Sequence, residues 1–211
     1  EIKKLIATIG VELDNDDLGR KFYDGLIDQS GIKIIDFEDF EKNTFNVVTE
    51  LTCKNGDDEF RPDITLLING LPLAFIEVKK PNNREGILAE RNRINMRFAN
   101  KKFKKFVNIS QILLFSNNMP YDNNDIDPIQ GAFYSTLSKT KAFFNQFKEE
   151  KKSFLQSKLN EEKEEVEDFI LKDTNYSVIK NSKEYQTNKL PTTPTNSAIL
   201  SLFSKERLKE L

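Results

Sequence analysis

The sequence predicts an α/β fold with a central mixed sheet flanked by helices. A helical pattern near the N-terminus is followed by three β-rich segments, and a second helical pattern then leads into a short apolar segment. A strand that follows a helix is usually parallel to a strand already in the sheet. The order helix, three strands, helix, strand therefore indicates a sandwich of helices around a mixed sheet.

The first half of the chain contains the elements of this core. A helix is predicted over residues 11–30, with Asn15 or Asp16 as its N-cap and Gly31 at its end. β-branched and apolar residues between turn-forming sequences predict strands over residues 45–53, 60–68 and 73–79. Apolar residues three and four positions apart then predict a helix over 85–106, and the run QILLFS predicts a buried strand over 111–116.

The composition changes after the aromatic segment 131–147. Residues 148–172 are charge-rich with few apolar positions, which predicts a solvated or partner-supported helix. Residues 188–198 (NKLPTTPTNSA) resemble a linker, and a further helix begins after them. We therefore expect two parts: a core domain over 1–147, and a charged helical extension and linker over 148–211.

The composition excludes several kinds of active site. The chain of 211 residues has no histidine, so it cannot form a Ser-His-Asp triad, a Cys-His pair or a His-ligated zinc site by itself. Hydrolysis would have to use carboxylates, lysine, tyrosine and a hard metal ion. The sequence has no GxxxxGK[ST] phosphate loop, so we expect no ATP binding by these residues.

The composition also bears on location. No apolar run approaches the ~20 residues that span a bilayer, and the polar N-terminus is unlike a signal peptide. The single Cys53 cannot form an internal disulfide, in agreement with a reducing compartment. We expect a cytoplasmic protein with no membrane contact and, at a net charge of −2, only local attraction to nucleic acid.

Two predicted strands, in the segment RPDITLLINGLPLAFIEVKKP (61–81), carry charged residues that are costly to bury. Alternation along a strand places Glu77 and Lys79 on one face. A two-residue Asn69-Gly70 loop would set Asp63 opposite Ile76, whereas a three-residue loop would set Asp63 opposite Glu77. We expect the three-residue loop. Two carboxylates this close repel unless a cation lies between them, and Mg²⁺ suits such a site.

The pattern Pro62-Asp63 followed by Glu77-x-Lys79 on a β-hairpin, with a helix after it, resembles the PD-(D/E)xK nuclease fold. The surrounding sequence, above all 60–147, is similar to the N-terminal endonuclease domain of the R subunit of type I restriction-modification enzymes. The resemblance implies a type I site-specific deoxyribonuclease that cleaves double-stranded DNA with Mg²⁺. It also implies modification and specificity subunits as partners and an ATP-driven motor beyond residue 211.

The resemblance also implies roles for individual residues. Asp63 and Glu77 correspond to the metal-binding carboxylates, the backbone carbonyl of Val78 to a further metal ligand, and Lys79 to the catalytic lysine. Many members of this nuclease group carry a Gln-x-x-x-Tyr pair on the next helix, and this sequence has neither residue there. Arg93 and Arg97, four residues apart on one helical face, are the nearest candidates for an equivalent role.

The segment 84–105 is rich in basic residues and lies next to the proposed phosphate-cleaving site. Within and near it, the residues predicted to contact DNA are Lys80, Arg91, Arg93, Arg97 and Lys101. A solvated basic face explains the same residues, and one of the two arginines could instead pair inside the fold with Glu90 or with an acidic residue of the first helix.

Two other functions remain open from the sequence. One is a different PD-(D/E)xK nuclease, for example of the repair type. The other is a non-catalytic module for docking DNA or subunits, in which the carboxylates only pair with Lys79 and the arginines.

Overall fold

A computed structural model describes residues 20–28, 33–81, 83, 85–122, 130–136, 142–146, 151–159 and 163–210. The strands are β1 (Phe45–Thr49), β2 (Cys53–Asn55), β3 (Asp58–Phe60), β4 (Ile64–Ile68), β5 (Leu71–Val78), β6 (Ile112–Ser116), β7 (Ala132–Thr136) and β8 (Asn145–Gln146). The helices are α1 (Arg20–Ile27), α2 (Gly86–Ala99), α3 (Lys104–Ile109), α4 (Lys152–Leu159), α5 (Glu164–Leu171), α6 (Tyr176–Lys180), α7 (Lys183–Asn188), α8 (Pro194–Leu202) and α9 (Lys205–Leu208). Within these ranges, no helix is both long enough and apolar enough to cross a membrane.

The core is a mixed sheet of six strands in the order β1-β4-β5-β6-β7-β8. The strands β5 and β6 are parallel, and the other neighbouring pairs are antiparallel. The helices α2 and α3 connect the two parallel strands, as a crossover connection requires. The predicted α/β class, the mixed sheet and the parallel placement of the strand after the helix are thus confirmed.

Helices from the crossover cover one face of the sheet. Ile94 of α2 and Val107 of α3 are buried against Phe75, Leu113 and Phe115, which alternate along β5 and β6. Phe75 and Glu77 lie two residues apart on this same strand. Glu77 therefore faces the layer that α2 and α3 form.

The opposite face is covered from the C-terminal region. Ala198 and Leu202 of α8 are buried against Ile76 and Leu114. The hydroxyls of Ser116 and Thr195 also lie 2.7 Å apart, joining the end of β6 to the start of α8. The prediction of a linker over 188–198 is wrong in this respect, because the first residue of that segment ends α7 and its last five begin a helix that packs on the sheet.

A third apolar cluster lies at the N-terminal side of the hairpin. Phe22 and Leu26 of α1 pack with Ile68 at the end of β4, and Leu73 lies at the edge of the same cluster. The predicted helix over 11–30 is confirmed for Arg20–Ile27. Its predicted caps at 15, 16 and 31 lie outside the described residues.

Two predicted elements are divided in the structure. The segment 45–53 breaks at Glu50, whose φ of 54° is incompatible with a continuous strand. The segment 60–68 contains the end of β3 and, separately, β4; β2 and β3 form a two-stranded sheet of their own. The predicted helix over 85–106 is interrupted by a 3₁₀ turn at Lys101–Phe103.

The predicted charged helix over 148–172 is present as two shorter helices, α4 and α5. Most of its apolar side chains stay accessible, and Val166, Phe169 and Ile170 are each more than half exposed. The predicted boundary at residue 147 falls among residues that the structure does not describe and stays a prediction.

Candidate active site

The candidate site lies at the C-terminal end of β5, in the middle of the sheet. Backbone pairing between β4 and β5 ends with Ile64 opposite Ile76, and one more step in this register places Asp63 opposite Glu77. The predicted placement of the two carboxylates on one face of adjacent strands is confirmed.

The predicted cause of this register is wrong. The turn has two residues, Asn69 and Gly70, which both have positive φ (52° and 81°) as tight hairpin turns require. The extra residue lies in β5 instead: Leu67 pairs with Pro72 and Leu66 with Ala74, so Leu73 forms a β-bulge. The bulge shifts the pairing by one residue and turns Asp63 toward the face of Glu77.

A backbone hydrogen bond fixes Asp63 in the site. The Val78 N–H donates to Asp63 Oδ2 over 2.7 Å. The Asp63 carbonyl accepts a second bond, from the Glu50 N–H at 2.9 Å, just where β1 ends. Asp63 is thus held between two strands, and its side chain remains 38% exposed.

Glu77 is the buried carboxylate of the site. Its side chain is only 4% exposed, and among the described residues its Oε1 accepts no hydrogen bond. Burial raises the pKa of Glu77 to about 7, and the negative charges of Glu90 and Asp63 act in the same direction. This carboxylate therefore lacks a full complement of partners in its ionised form.

Lys79 lies among three carboxylates. Its Nζ is 3.2 Å from Glu90 Oε2, 3.5 Å from Glu77 Oε2 and 4.0 Å from Asp63 Oδ2. The predicted cluster of Asp63, Glu77 and Lys79 is present, and the ammonium faces both strand carboxylates at once.

Glu90 and two arginines complete the site from α2. Arg93 Nη1 donates to Glu90 Oε2 over 2.9 Å, and Arg97 Nη1 contacts Glu90 Oε1 at 3.4 Å and Glu77 Oε1 at 3.8 Å. The Arg97 guanidinium also lies over the Phe60 ring, 4.4 Å from its centroid. The contact with Glu90 that the sequence left open is made by both arginines.

Glu90 was not among the site residues that the sequence predicted. The signal for it is its spacing, since Glu90, Arg93 and Arg97 recur at three and four residues and share one helical face. This pattern alone fits an ordinary surface ion pair. The proximity to Glu77 depends on the packing of α2 against the sheet.

The remaining residues predicted to bind DNA differ in how exposed they are. Lys80, immediately after Lys79, and Lys101, after the end of α2, are exposed. Arg91 is partly buried, with its guanidinium 5.6 Å from the centroid of the Phe144 ring. Contact of any of these residues with DNA stays a prediction.

The donors of the site suit a hard cation. Asp63 and Glu77 supply carboxylate oxygens, and Glu77 Oε1, which accepts no hydrogen bond among the described residues, is a buried acceptor that a cation would satisfy. Within the described part of the chain, no three His, Cys, Asp or Glu side chains are grouped to hold a metal ion. A metal here would therefore need backbone oxygen or water as further ligands, as Mg²⁺ commonly takes.

Residues 12–125 match the sequence profile of the family described as "Type I restriction enzyme R protein N terminus". Over 91 residues, 43% of the chain, the sequence is 35% identical to a Methanocaldococcus jannaschii protein named "Putative type I restriction enzyme MjaVIIIP endonuclease subunit". Two further proteins of that organism, whose names differ only in the designations MjaVIIP and MjaIXP, are 47% identical over 47 residues (22% of the chain) and 32% identical over 102 residues (39% of the chain). The matched regions are 9%, 4% and 10% of these relatives, so the chain spans a small part of their length.

Proposed function

Because the chain belongs to the family of type I restriction enzyme R protein N termini, we propose that it is the Mg²⁺-dependent endonuclease unit of such an enzyme. The proposed reaction is hydrolysis of phosphodiester bonds in double-stranded DNA, on a core of the PD-(D/E)xK type. The observation that carries the proposal is the pairing of Asp63 with Glu77 on one face of the sheet, with Lys79 within 4.0 Å of both. A buried, incompletely partnered carboxylate beside a second carboxylate favours a cation site over a simple ion pair.

The proposed metal ligands are Asp63, Glu77 and the backbone carbonyl of Val78. A bound Mg²⁺ would supply Lewis-acid chemistry, activating water and neutralising charge on the phosphate. The Val78 N–H supports this arrangement, because it donates to Asp63 Oδ2 and so orients that carboxylate. At the end of β5, Glu77 thus supplies one carboxylate, and the N–H of the next residue, Val78, positions the other.

Lys79 is the proposed catalytic lysine. Its ammonium lies beside both metal ligands, where it can orient the attacking water or stabilise charge that develops on the phosphate. Its side chain is 21% exposed, so a DNA phosphate can approach it from solvent.

DNA is expected to approach across the open side of the site. Lys80 and Lys101 are exposed, and the side chain of Arg93 is 52% exposed in spite of its contact with Glu90. Backbone phosphates are the expected partners of these groups and of Arg91 and Arg97, because basic side chains at a cleavage site position the strand without reading its bases.

The proposal extends to the assembly and the location of the protein. The relatives are much longer than this chain, and their names describe them as endonuclease subunits of type I restriction enzymes. We therefore expect modification and specificity subunits as partners, an ATP-dependent motor in another part of the subunit, and a cytoplasmic location.

One observation favours a second candidate function. The three carboxylates Asp63, Glu77 and Glu90 are matched by three cations, Lys79, Arg93 and Arg97, within one cluster. Such a balanced cluster could serve a non-catalytic module for DNA or subunit docking. In that case the cluster would bind no divalent metal.

Cleavage by the assembled enzyme tests the proposed function. Asp63→Asn, Glu77→Gln and Lys79→Gln are each expected to reduce DNA cleavage by on the order of 10²-fold or more, because each removes a charge from the reaction centre. ATP hydrolysis stimulated by DNA should persist, and the control Lys42→Gln, at an exposed pair with Asp39, should cleave normally. Undiminished cleavage by the Glu77→Gln enzyme would contradict the proposal.

A further inference from the structure

Glu90 is a buried charge that the proposed chemistry does not account for. Its side chain is 1% exposed, and it comes from the helix rather than from the strands that carry the metal ligands. Both of its oxygens face cations: Oε2 contacts Lys79 and Arg93, and Oε1 contacts Arg97. A carboxylate is costly to bury unless it is paired in this way, so the three cations explain how it is tolerated.

The distances around Lys79 suggest what Glu90 contributes. Glu90 is its nearest carboxylate, at 3.2 Å, whereas the proposed metal ligands Glu77 and Asp63 lie at 3.5 and 4.0 Å. A divalent cation shared by those two ligands would repel the ammonium and remove the attraction that they exert on it. Glu90 would then be the anion that keeps Lys79 in the site.

Arg97, like Lys79, contacts both Glu90 and the proposed metal ligand Glu77. Its guanidinium lies between Glu90 Oε1, at 3.4 Å, and Glu77 Oε1, at 3.8 Å, while Phe60 covers one face of the group. With a metal on Glu77, Glu90 and the Phe60 ring would remain to fix Arg97. Glu90 and Arg97 lie about two turns apart on one face of α2, and the long arginine side chain spans that distance.

We propose that Glu90 is a positioning residue that holds Lys79, and with it Arg97, beside the metal ligands without binding the metal itself. This inference rests on the proposed function. The contacts of Glu90 separate it from the ligands, because both of its oxygens already face cations, three in all. A charge fixed from a helix keeps the lysine in place before DNA arrives.

The test is Glu90→Gln in the full-length subunit within its complex, with single-turnover cleavage measured against Mg²⁺ concentration. The rate at saturating Mg²⁺ should fall by about tenfold or more, which corresponds to the loss of one interaction with a charged group. The half-saturating Mg²⁺ concentration and the rise in unfolding temperature caused by Ca²⁺ should stay as in the parent. A matched control is Glu59→Gln, at an exposed position of β3.

A double-mutant cycle shows whether Glu90 acts through Lys79. If it does, Glu90→Gln should cost clearly less in a Lys79→Gln enzyme than in the parent, with only the part that acts through Arg97 remaining. Additive losses in the cycle would overturn the proposal, and so would an unchanged cleavage rate. A shift in the half-saturating Mg²⁺ concentration or a lost response to Ca²⁺ would overturn it as well, by making Glu90 a metal ligand.

The test must allow for a Glu90→Gln protein that does not fold, and it must separate failure of this proposal from failure of the proposed function. If Glu90→Gln does not fold because Arg93 and Arg97 lose their partner, the same comparison is made in an Arg93→Gln background, which removes the more exposed cation. Cleavage that survives Glu77→Gln would contradict the proposed function itself. Cleavage that is lost in Glu77→Gln and retained in Glu90→Gln would contradict only the role of Glu90.

Discussion

At the scale of single residues, Glu77 has the most unusual environment in the site. Its burial at the end of β5 disfavours the charged form, and two neighbouring carboxylates add to this effect, so its pKa rises from 4.5 to about 7. Lys79 and Arg97 act in the opposite direction but do not cancel the effect of burial. A bound divalent cation would favour the ionised form that the apo site disfavours.

This environment predicts how stability depends on pH in metal-free buffer. Between pH 4.5 and 7 the folded protein binds more protons than the unfolded chain, so the stability that Glu77 contributes is present below pH 4.5 and is lost as the pH rises through about 7. Glu77→Gln removes the ionisable group. Denaturant titration gives the free energies of unfolding of Glu77→Gln and of the parent at pH 4.5 and at pH 8. The difference between them, Glu77→Gln minus parent, should be about 1–3 kcal/mol larger at pH 8 than at pH 4.5.

The exposed Glu59→Gln serves as the control for this prediction, because that carboxylate has no burial to relieve. The change with pH measured for Glu77→Gln should exceed the change measured for this control. A Glu77→Gln difference that does not change with pH would show that burial does not disfavour the carboxylate.

The residues of the site differ in how far the sequence could predict them. Asp63, Glu77 and Lys79 could be grouped because strand alternation and a hairpin relate positions close in sequence. Glu90 could not, because its contacts with Lys79 depend on how α2 lies on the sheet. Arg93 and Arg97 were predicted for DNA, and their contacts with Glu90 show how a buried acid competes for the same groups.

At the scale of elements, the hairpin shows why register is difficult to predict. The sequence indicated the correct partner for Asp63. A three-residue turn without a bulge and a two-residue turn with a one-residue bulge in β5 give Asp63 the same partner, so the pairing alone does not determine the turn. Asn69 and Gly70 favour the two-residue turn by their tolerance of positive φ. The bulge at Leu73 carries no comparable signal, since Leu is compatible with a regular strand.

Asn69 also ties the turn to the preceding segment. Its Oδ1 accepts from the Thr44 N–H over 2.8 Å, and its Nδ2 donates to the Ile34 carbonyl over 2.7 Å and to Asn43 Oδ1 over 2.8 Å. Asn69→Gly keeps the backbone conformation and removes these bonds, so unfolding should require about 1–2 kcal/mol less free energy. Denaturant titration measures this loss.

Asn69→Asp is the matched comparison, because it keeps an acceptor for the Thr44 N–H and loses both donated bonds. It should be less stable than the parent, because a carboxylate oxygen would face two acceptors, the Ile34 carbonyl and Asn43 Oδ1. Equal stability of the parent and Asn69→Gly would mean that backbone geometry alone determines the contribution of Asn69.

At the scale of the whole molecule, the sheet is buried from both sides, and the second layer comes from the far end of the chain. The sequence predicted the layer formed by α2 and α3 because their apolar spacing is regular. It predicted a helix only after residue 198 and missed the first part of α8, because prolines and threonines at 191–195 resemble a linker. Pro194 lies in the first turn of α8, where a missing N–H costs nothing, with Thr193 as the N-cap.

This arrangement gives the C-terminal region a role in stability. Leu202 is 4% exposed and packs in the cluster with Ile76 and Leu114, so Leu202→Ala should destabilise the protein by about 2–4 kcal/mol. Val166→Ala, at a side chain that is 51% exposed, should change stability by less than about 0.5 kcal/mol. Thermal or denaturant unfolding measures both. Equal effects of the two variants would contradict the packing of α8 on the sheet.

The central claim is that Asp63 and Glu77 together hold one divalent cation at the end of β5. Crystallography of the protein soaked with Mn²⁺, with anomalous scattering used to locate the metal, tests it most directly. The account predicts one strong peak about 2.0–2.3 Å from a carboxylate oxygen of each residue, absent from the Asp63→Asn protein. Absence of a peak between these carboxylates at saturating Mn²⁺, with Lys79 still bridging Asp63, Glu77 and Glu90, would contradict it.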